Sequence, residues 1–166
     1  MSDLYISWTE YHQKIEALAI KIYQSGWKCD RIVCLAKGGL RVGDILCRIF
    51  DVPLAVLSTA SYGGENNQTR GKITVSQNIS MTEKTLSGRV LLADDLVDSG
   101  ISLQVAQKWL QERYRGEITE LKTAVIWCKS CSVCEPDYYV DYLADNPWIH
   151  QPFEIYENIA IESLIR

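Results

Sequence analysis

The densest chemistry in the chain lies in the run Val90-Leu91-Leu92-Ala93-Asp94-Asp95-Leu96-Val97-Asp98-Ser99-Gly100-Ile101-Ser102. An apolar stretch ends there in two adjacent carboxylates, and in open α/β sheets ligands bind beyond the carboxyl ends of the strands. Two anionic groups at such a place call for a cation or for hydroxyls. The turn Asp98 to Ser102 then leads into helical spacing at Leu103, Ala106, Gln107 and Leu110. Backbone N–H groups at a helix start, with the hydroxyls of Ser99 and Ser102, form an anion cradle of phosphate size. Alone, either feature reads equally well as a solvated turn or a helix cap. A few residues apart, they suit the two ends of one sugar phosphate. A second cradle is Ala36-Lys37-Gly38-Gly39-Leu40-Arg41-Val42-Gly43, where two glycines allow close backbone approach and Lys37 and Arg41 bring positive charge. It suits a diphosphate, and in isolation it reads equally as a simple strand-to-helix turn. The Gly-x-x-x-x-Gly-Lys-Ser/Thr loop and the Gly-x-Gly-x-x-Gly fingerprint are both absent from the sequence, which excludes nucleoside triphosphatases and dinucleotide enzymes of those types.

These groups need a scaffold to hold them. Ser7 followed by Glu10 forms a capping box, and Trp8, Tyr11, Ile15, Leu18, Ala19 and Ile22 recur at helical spacing until Gly26 closes the helix. Strands are expected at Ile32 to Ala36, Leu54 to Ser58, Arg89 to Ala93, Leu121 to Trp127 and Tyr138 to Tyr142. The first four are almost continuously apolar, as parallel strands covered on both faces are, so the fold class is α/β with a mostly parallel twisted sheet flanked by helices. Thr59 to Lys72 is polar and rich in Gly and Asn, and the alternating Ile73-Thr74-Val75-Ser76 follows, which predicts a loop rising into an exposed hairpin arm that acts as a lid.

The 166 residues suit a single domain, and 47% hydrophobic residues with 23% charged give it enough material for a core. A formal net charge of -4 lacks the basic stripe that nucleic acid or an anionic membrane surface requires, so neither is an expected partner. The start Met1-Ser2-Asp3-Leu4-Tyr5 carries no basic and apolar leader, which predicts a cytoplasmic location and reduced thiols. Cys128-x-x-Cys131-x-x-Cys134 could begin a zinc or iron–sulfur site, but no further Cys or His completes a standard spacing, so reduced thiols are the preferred reading. His12 falls on a solvated helix face, and His150 reads as a loop spacer.

The run Asp94 to Ser102 resembles the phosphoribosyl pyrophosphate motif of type I phosphoribosyltransferases, and Lys37-Gly38-Gly39 resembles their pyrophosphate loop. Ser61-Tyr62 opening a hood loop with Arg70, and Trp127-Cys128-Lys129 resembling the strand end that bears a purine-contacting lysine, extend the resemblance, and Trp148-Ile149-His150-Gln151-Pro152 is similar to the C-terminal purine-binding segment of the bacterial xanthine-guanine subfamily. The resemblance implies one phosphoribosyltransferase domain over 1–166, with a hood at about 59–79 and a base-binding segment at about 129–153. It implies Mg²⁺ and the ribose hydroxyls at Asp94 and Asp95, a base at Asp98 near purine N7, and the 5'-phosphate at Ser99, Gly100, Ile101 and Ser102. Pyrophosphate would fall to Lys37, Gly38, Gly39 and Arg70. The 6-oxo group would fall to Lys129, ring stacking to Trp148, and the 2-substituent to the backbone at Trp148 and Ile149. A non-proline cis peptide at Ala36–Lys37 and a homodimer or homotetramer are implied as well. The expected reaction joins phosphoribosyl pyrophosphate and a 6-oxopurine to give a nucleoside monophosphate in purine salvage. A catalytically silent sensor of phosphoribosyl pyrophosphate and an enzyme for a pyrimidine base are the alternatives. The chain departs from the subfamily at Lys37, where arginine is usual, at Ser130 in place of proline, and at Phe153 in place of tryptophan. A lysine cannot make the planar bidentate contact of arginine.

Overall fold

The computed structural model describes residues 3–62, 72–157 and 159–165. In chain order its elements are β1 (Asp3–Tyr5), α1 (Trp8–Gln24), β2 (Arg31–Ala36), α2 (Gly39–Phe50), β3 (Leu54–Tyr62), β4 (Lys72–Val75) and β5 (Gly88–Ala93). There follow β6 (Leu96–Val97), α3 (Ile101–Arg113), β7 (Ile118–Lys129), β8 (Tyr138–Leu143), β9 (Trp148–His150) and two short 3₁₀ turns. The capping box closes both ways: Ser7 Oγ accepts from the Glu10 N–H at 3.2 Å, and Glu10 Oε2 accepts from the Ser7 N–H at 2.8 Å. That bond holds the Glu10 carboxyl below its usual range. Gly26, at φ +76°, turns the chain away after the helix.

The expected strands form one sheet in the order β4-β3-β2-β5-β7-β6, with β8 also on β7. Among the described residues the strands of this sheet pair in parallel except in the β3–β4 hairpin, whose register sets Thr59 opposite Val75, and an isolated antiparallel bridge joins Val56 to Ser80. The arm predicted from Ile73 to Ser76 is therefore present. Its tip, and Arg70 with it, lies outside the described residues. From β2 the chain steps through α2 to β3 on one side, while from β5 it steps through α3 to β7 on the other. The two helices accordingly cover opposite faces: Val42 and Leu46 of α2 join Tyr11, Ile15 and Leu18 of α1 in one core, and Leu103, Ala106 and Leu110 of α3 fill the second. A crevice opens beyond the carboxyl ends of β2 and β5, where the strand order reverses.

Some elements exceed the sequence expectation. β7 runs to Lys129 and so carries that lysine on the strand itself. β1 and β9 form a separate parallel pair, with Leu4 opposite Ile149, that ties the chain's start to the segment after β8. Trp8, the first residue of the apolar helical stripe, is 38% exposed, because its place in the first turn of α1 sets it against Phe153 of the C-terminal segment. Among the described residues no helix is long and apolar enough to cross a membrane.

Gly43 sets how closely α2 lies on β2, since a β-carbon there would come within 2.5 Å of Cys34 Cβ. Gly43→Ala is expected to destabilise the protein by about 1–3 kcal/mol through overpacking, read as a lower midpoint in urea unfolding. An unchanged midpoint would show that α2 can move away freely.

Candidate active site

Asp94 and Asp95 stand in a break between β5 and β6, both of which pair with β7. The break has a local cause, because each carboxylate takes the next residue's N–H away from the ladder. Asp94 Oδ1 accepts from the Asp95 N–H at 2.9 Å, and Asp95 Oδ1 accepts from the Leu96 N–H at 2.8 Å. β7 bridges the gap, with the Ile126 and Trp127 N–H groups both donating to the Asp95 carbonyl, at 2.9 and 3.2 Å. Burial first, then the Asp95 charge, push the Asp94 carboxyl well above the usual carboxylate range, against the opposing pull of N–H groups from Asp95 and Gly39.

The loop after β2 crosses directly beside this pair. The Ala36–Lys37 peptide is cis, as the resemblance implied. A β-carbon on Gly38 would collide with the Asp95 carboxylate, and one on Gly39 would lie 2.6 Å from the Ala93 carbonyl oxygen. Only glycine permits this approach. Lys37, Gly38, Asp94, Asp95 and Ser102 line a cavity of about 560 Å³, together with Arg41, Thr59, Gln151, Phe153 and Tyr156. On the other side of the acidic pair, Asp98, Ser99, Gly100 and Ser102 line a recess of about 120 Å³. Gly100, at φ +81°, is the N-cap of α3, whose first N–H groups have no acceptor within the helix. Ser99 Oγ makes only a long 3.5 Å contact with the Ile101 N–H, so its hydroxyl is not spent as a cap.

A third group lies at the end of β7. Lys129 is buried, with its Nζ 3.3 Å from Asp98 Oδ1 and 5.9 Å from the centroid of the Trp148 ring. The Asp98 side chain is 65% exposed and Trp148 is 59% exposed, so both remain open to a ligand. The Ile149 side chain turns into the core.

Sequence reasoning gave no role to Gln151. It is buried, and its Nε2 donates to Asp95 Oδ2 at 2.5 Å. Its Oε1 has no hydrogen-bond partner among the described residues. The only signal was its place within the Trp148 to Pro152 run. Arg41, read as charge for the cradle, spreads its guanidinium over Phe153 at 4.2 Å and Trp8 at 5.6 Å from the ring centroids, and so clamps the C-terminal segment. Among the described residues no three His, Cys, Asp or Glu side chains form a metal-holding group.

Two turns with backbone N–H groups and hydroxyl or ammonium side chains flank the paired carboxylate at the switch point of the parallel sheet. Residues 7–158 match the profile of the phosphoribosyl transferase domain, and the chain belongs to the type I phosphoribosyltransferase family. It is 30% identical to the purine phosphoribosyltransferase of Pyrococcus horikoshii Ot3, with a TM-score of 0.75 over 92% of this chain and 94% of that one. It is 25% identical over 155 residues to the xanthine-guanine phosphoribosyltransferase of Idiomarina loihiensis (strain ATCC BAA-735 / DSM 15497 / L2-TR), covering 93% of this chain and 88% of that protein. The fold is shared with the Helicobacter pylori xanthine-guanine-hypoxanthine phosphoribosyltransferase at 20% identity, with a TM-score of 0.73 and 93% and 94% of the two chains covered.

The crowded acidic pair makes a stability prediction. A carboxyl whose folded pKa lies above its unfolded value favours the folded state only while it is protonated. Stability of the ligand-free protein should therefore fall as pH rises from the ordinary carboxylate range through the raised pKa of Asp94. Asp94→Asn should melt higher than wild type near neutral pH, with the gap widening as pH rises from the ordinary carboxylate range. Thermal melts of both proteins across that range decide it, and a gap that narrows with pH contradicts the assignment.

Proposed function

We propose that the chain transfers the phosphoribosyl group of phosphoribosyl pyrophosphate to a 6-oxopurine, xanthine, guanine or hypoxanthine, releasing pyrophosphate and serving purine salvage. The observation that carries the purine reading is the buried Lys129, aimed at Asp98 beside an exposed Trp148 ring. A 6-oxopurine offers an acceptor to the ammonium, a ring nitrogen proton to the carboxylate, and a flat face to the indole. The xanthine-guanine and purine enzymes among the relatives support the same acceptor.

Lys37, Gly38 and Gly39 would hold the pyrophosphate, with Arg70 joining from the hood. Ser99, Gly100, Ile101 and Ser102 would hold the 5'-phosphate. Asp94 and Asp95 would hold the ribose hydroxyls and Mg²⁺. Their fit to that ion rests on hard carboxylate oxygens, gathered where burial and like charge disfavour a bare pair. Bound there, Mg²⁺ supplies positive charge against the departing diphosphate. As the C1–O bond to pyrophosphate breaks, negative charge grows on the leaving oxygens, and Lys37 with the loop N–H groups would stabilise it without reorganising. Asp98 would handle the purine proton near N7, Lys129 would donate to the 6-oxo oxygen, Trp148 would stack on the ring, and the backbone at Trp148 and Ile149 would meet the 2-substituent. The Lys129–Asp98 pair holds both groups close together until a base inserts between them. A homo-oligomer is proposed as well, supported by the exposed apolar side chains Tyr5, Tyr23, Ile161 and Ile165, 70 to 81% exposed.

Pyrophosphate release should require Mg²⁺, phosphoribosyl pyrophosphate and an oxopurine, and should stay at background with orotate or uracil. Release with a pyrimidine alone would overturn the purine reading, and release with no base in the panel would overturn the transferase reading.

Asp98→Asn should keep phosphoribosyl pyrophosphate binding but lower turnover by roughly 10² to 10⁴. Lys129→Ala should weaken oxopurine use by about 1.5–3 kcal/mol in kcat/KM while leaving phosphoribosyl pyrophosphate affinity unchanged, and Trp148→Ala should act likewise through lost stacking. Steady-state kinetics with one oxopurine, beside calorimetric titration, reads all three. Normal base selectivity in both the Lys129 and Trp148 variants would leave the acceptor unassigned to this pocket.

A further inference from the structure

The loop joining β7 to β8 carries thiols for which the proposed reaction has no use, and it lies against the back of the phosphate turn. Three successive carbonyls of that turn each accept a donor from the loop. Cys131 Sγ donates to the Asp98 carbonyl at 3.5 Å, the Val133 N–H to the Ser99 carbonyl at 2.9 Å, and Cys134 Sγ to the Gly100 carbonyl at 3.4 Å. Cys131 Sγ also lies 3.6 Å from Asp98 Oδ1. The loop has its own bracing: the Cys131 N–H donates to Asn146 Oδ1 at 3.1 Å, and Ser132 Oγ donates to the Cys134 carbonyl at 2.6 Å. The packing leaves no slack, since a β-carbon on Gly100 would come 2.5 Å from Ser132 Oγ and 2.8 Å from Cys134 Sγ.

In a trans peptide the C=O and the following N–H point in opposite directions. Anchoring the carbonyls of residues 98, 99 and 100 to the thiol loop therefore turns the N–H groups of Ser99, Gly100 and Ile101 away from that loop. Those are the donors that an anion on the opposite side of the turn would need. The Gly100 carbonyl has a second anchor, the Gln104 N–H at 3.0 Å, which belongs to α3. The Asp98 carbonyl relies on Cys131, the more exposed of the two thiols.

We propose that Cys131 and Cys134 are positioning residues that hold the 98–100 turn in its phosphate-receiving shape, so that the state of these two thiols sets the affinity for the 5'-phosphate end of phosphoribosyl pyrophosphate. The inference rests on the function proposed above and adds residues outside the binding surface to it. Neither thiol lines the cavity or the recess described above, so their loss acts first on the affinity for phosphoribosyl pyrophosphate, and Cys131 can reach the base side only through its contact with the Asp98 carboxylate.

The test is calorimetric titration of Mg²⁺ and phosphoribosyl pyrophosphate into wild type, the Cys131→Ala/Cys134→Ala protein and the Cys131→Ser/Cys134→Ser protein, with kinetics and melting curves for each. The alanine pair should bind phosphoribosyl pyrophosphate about tenfold more weakly, as expected for two lost S–H donors, and the serine pair, which keeps a donor at each position, should recover to within about threefold of wild type. A second arm starts from folded wild-type protein, with the serine pair as its control. Methyl methanethiosulfonate converts each accessible thiol to its methyl disulfide, with methanesulfinate leaving, and excess dithiothreitol restores the thiol by exchange. Treated wild type should lose affinity and regain it on reduction, while the treated serine pair should not change. Unaltered affinity in the alanine pair or in treated wild type, or an equal loss in the treated serine pair, overturns the inference and leaves the function standing. Wild type that fails to bind phosphoribosyl pyrophosphate at all overturns both.

Discussion

Two carboxylates forced together in a gap of the sheet are the constraint around which the rest of this protein is arranged. Asp94 and Asp95 sit too close, and Asp94 is too buried, for both to be comfortably charged in the ligand-free protein. They persist because the surrounding backbone satisfies what it can: each accepts its neighbour's N–H, and Gln151 donates to Asp95 from the far end of the chain. What remains unsatisfied is net negative charge facing a cavity, which is the property that a divalent cation and sugar hydroxyls answer. The surroundings are fitted to the same need. Gly38 and Gly39 bring backbone against the acids where any side chain would collide, and α2 directs its N-terminal end at Asp94.

The C-terminal segment is integral to this arrangement. β9 is held by β1, Tyr5 stacks on His150 at 4.3 Å, and Arg41 lies over both Phe153 and Trp8. Those contacts fix the segment so that Gln151 reaches Asp95 and Trp148 stands beside Lys129. A segment with little regular structure is thereby made stiff enough to shape a pocket. The Asp94–Asp95 pair and the Lys129–Trp148 pair thus share one support.

At the end of β7 the opposite economy operates. Lys129 is buried, yet its ammonium has a partner in Asp98, whose other side faces solvent. Among the described residues Asp98 is the ion-pair partner of this buried ammonium, and under the proposed function an oxopurine would compete with it for the same charge. Behind the same turn, the thiol loop supplies the anchoring that the turn cannot provide for itself.

Much of this was legible in the residues. The capping box, the apolar runs, the acidic pair, the Lys37-Gly38-Gly39 turn and the Asp98 to Ser102 turn are local patterns, and local physics (helix periodicity, strand burial and the conformational freedom of glycine) is enough to read them. The parallel sheet followed from the same patterns, because runs buried on both faces need helices on both sides. What a linear reading could not supply were contacts between residues far apart in the chain: Gln151 on Asp95, Arg41 against two aromatic rings, β1 on β9, and the cysteine loop behind the Asp98 to Gly100 turn. The spacing of Cys128, Cys131 and Cys134 and the charge of Arg41 are visible in the sequence, but nothing beside them in the chain says what they pack against. Each is brought to its place by the sheet order and by where the strands end, so the sequence determined which chemistry was available, and packing decided which groups would meet.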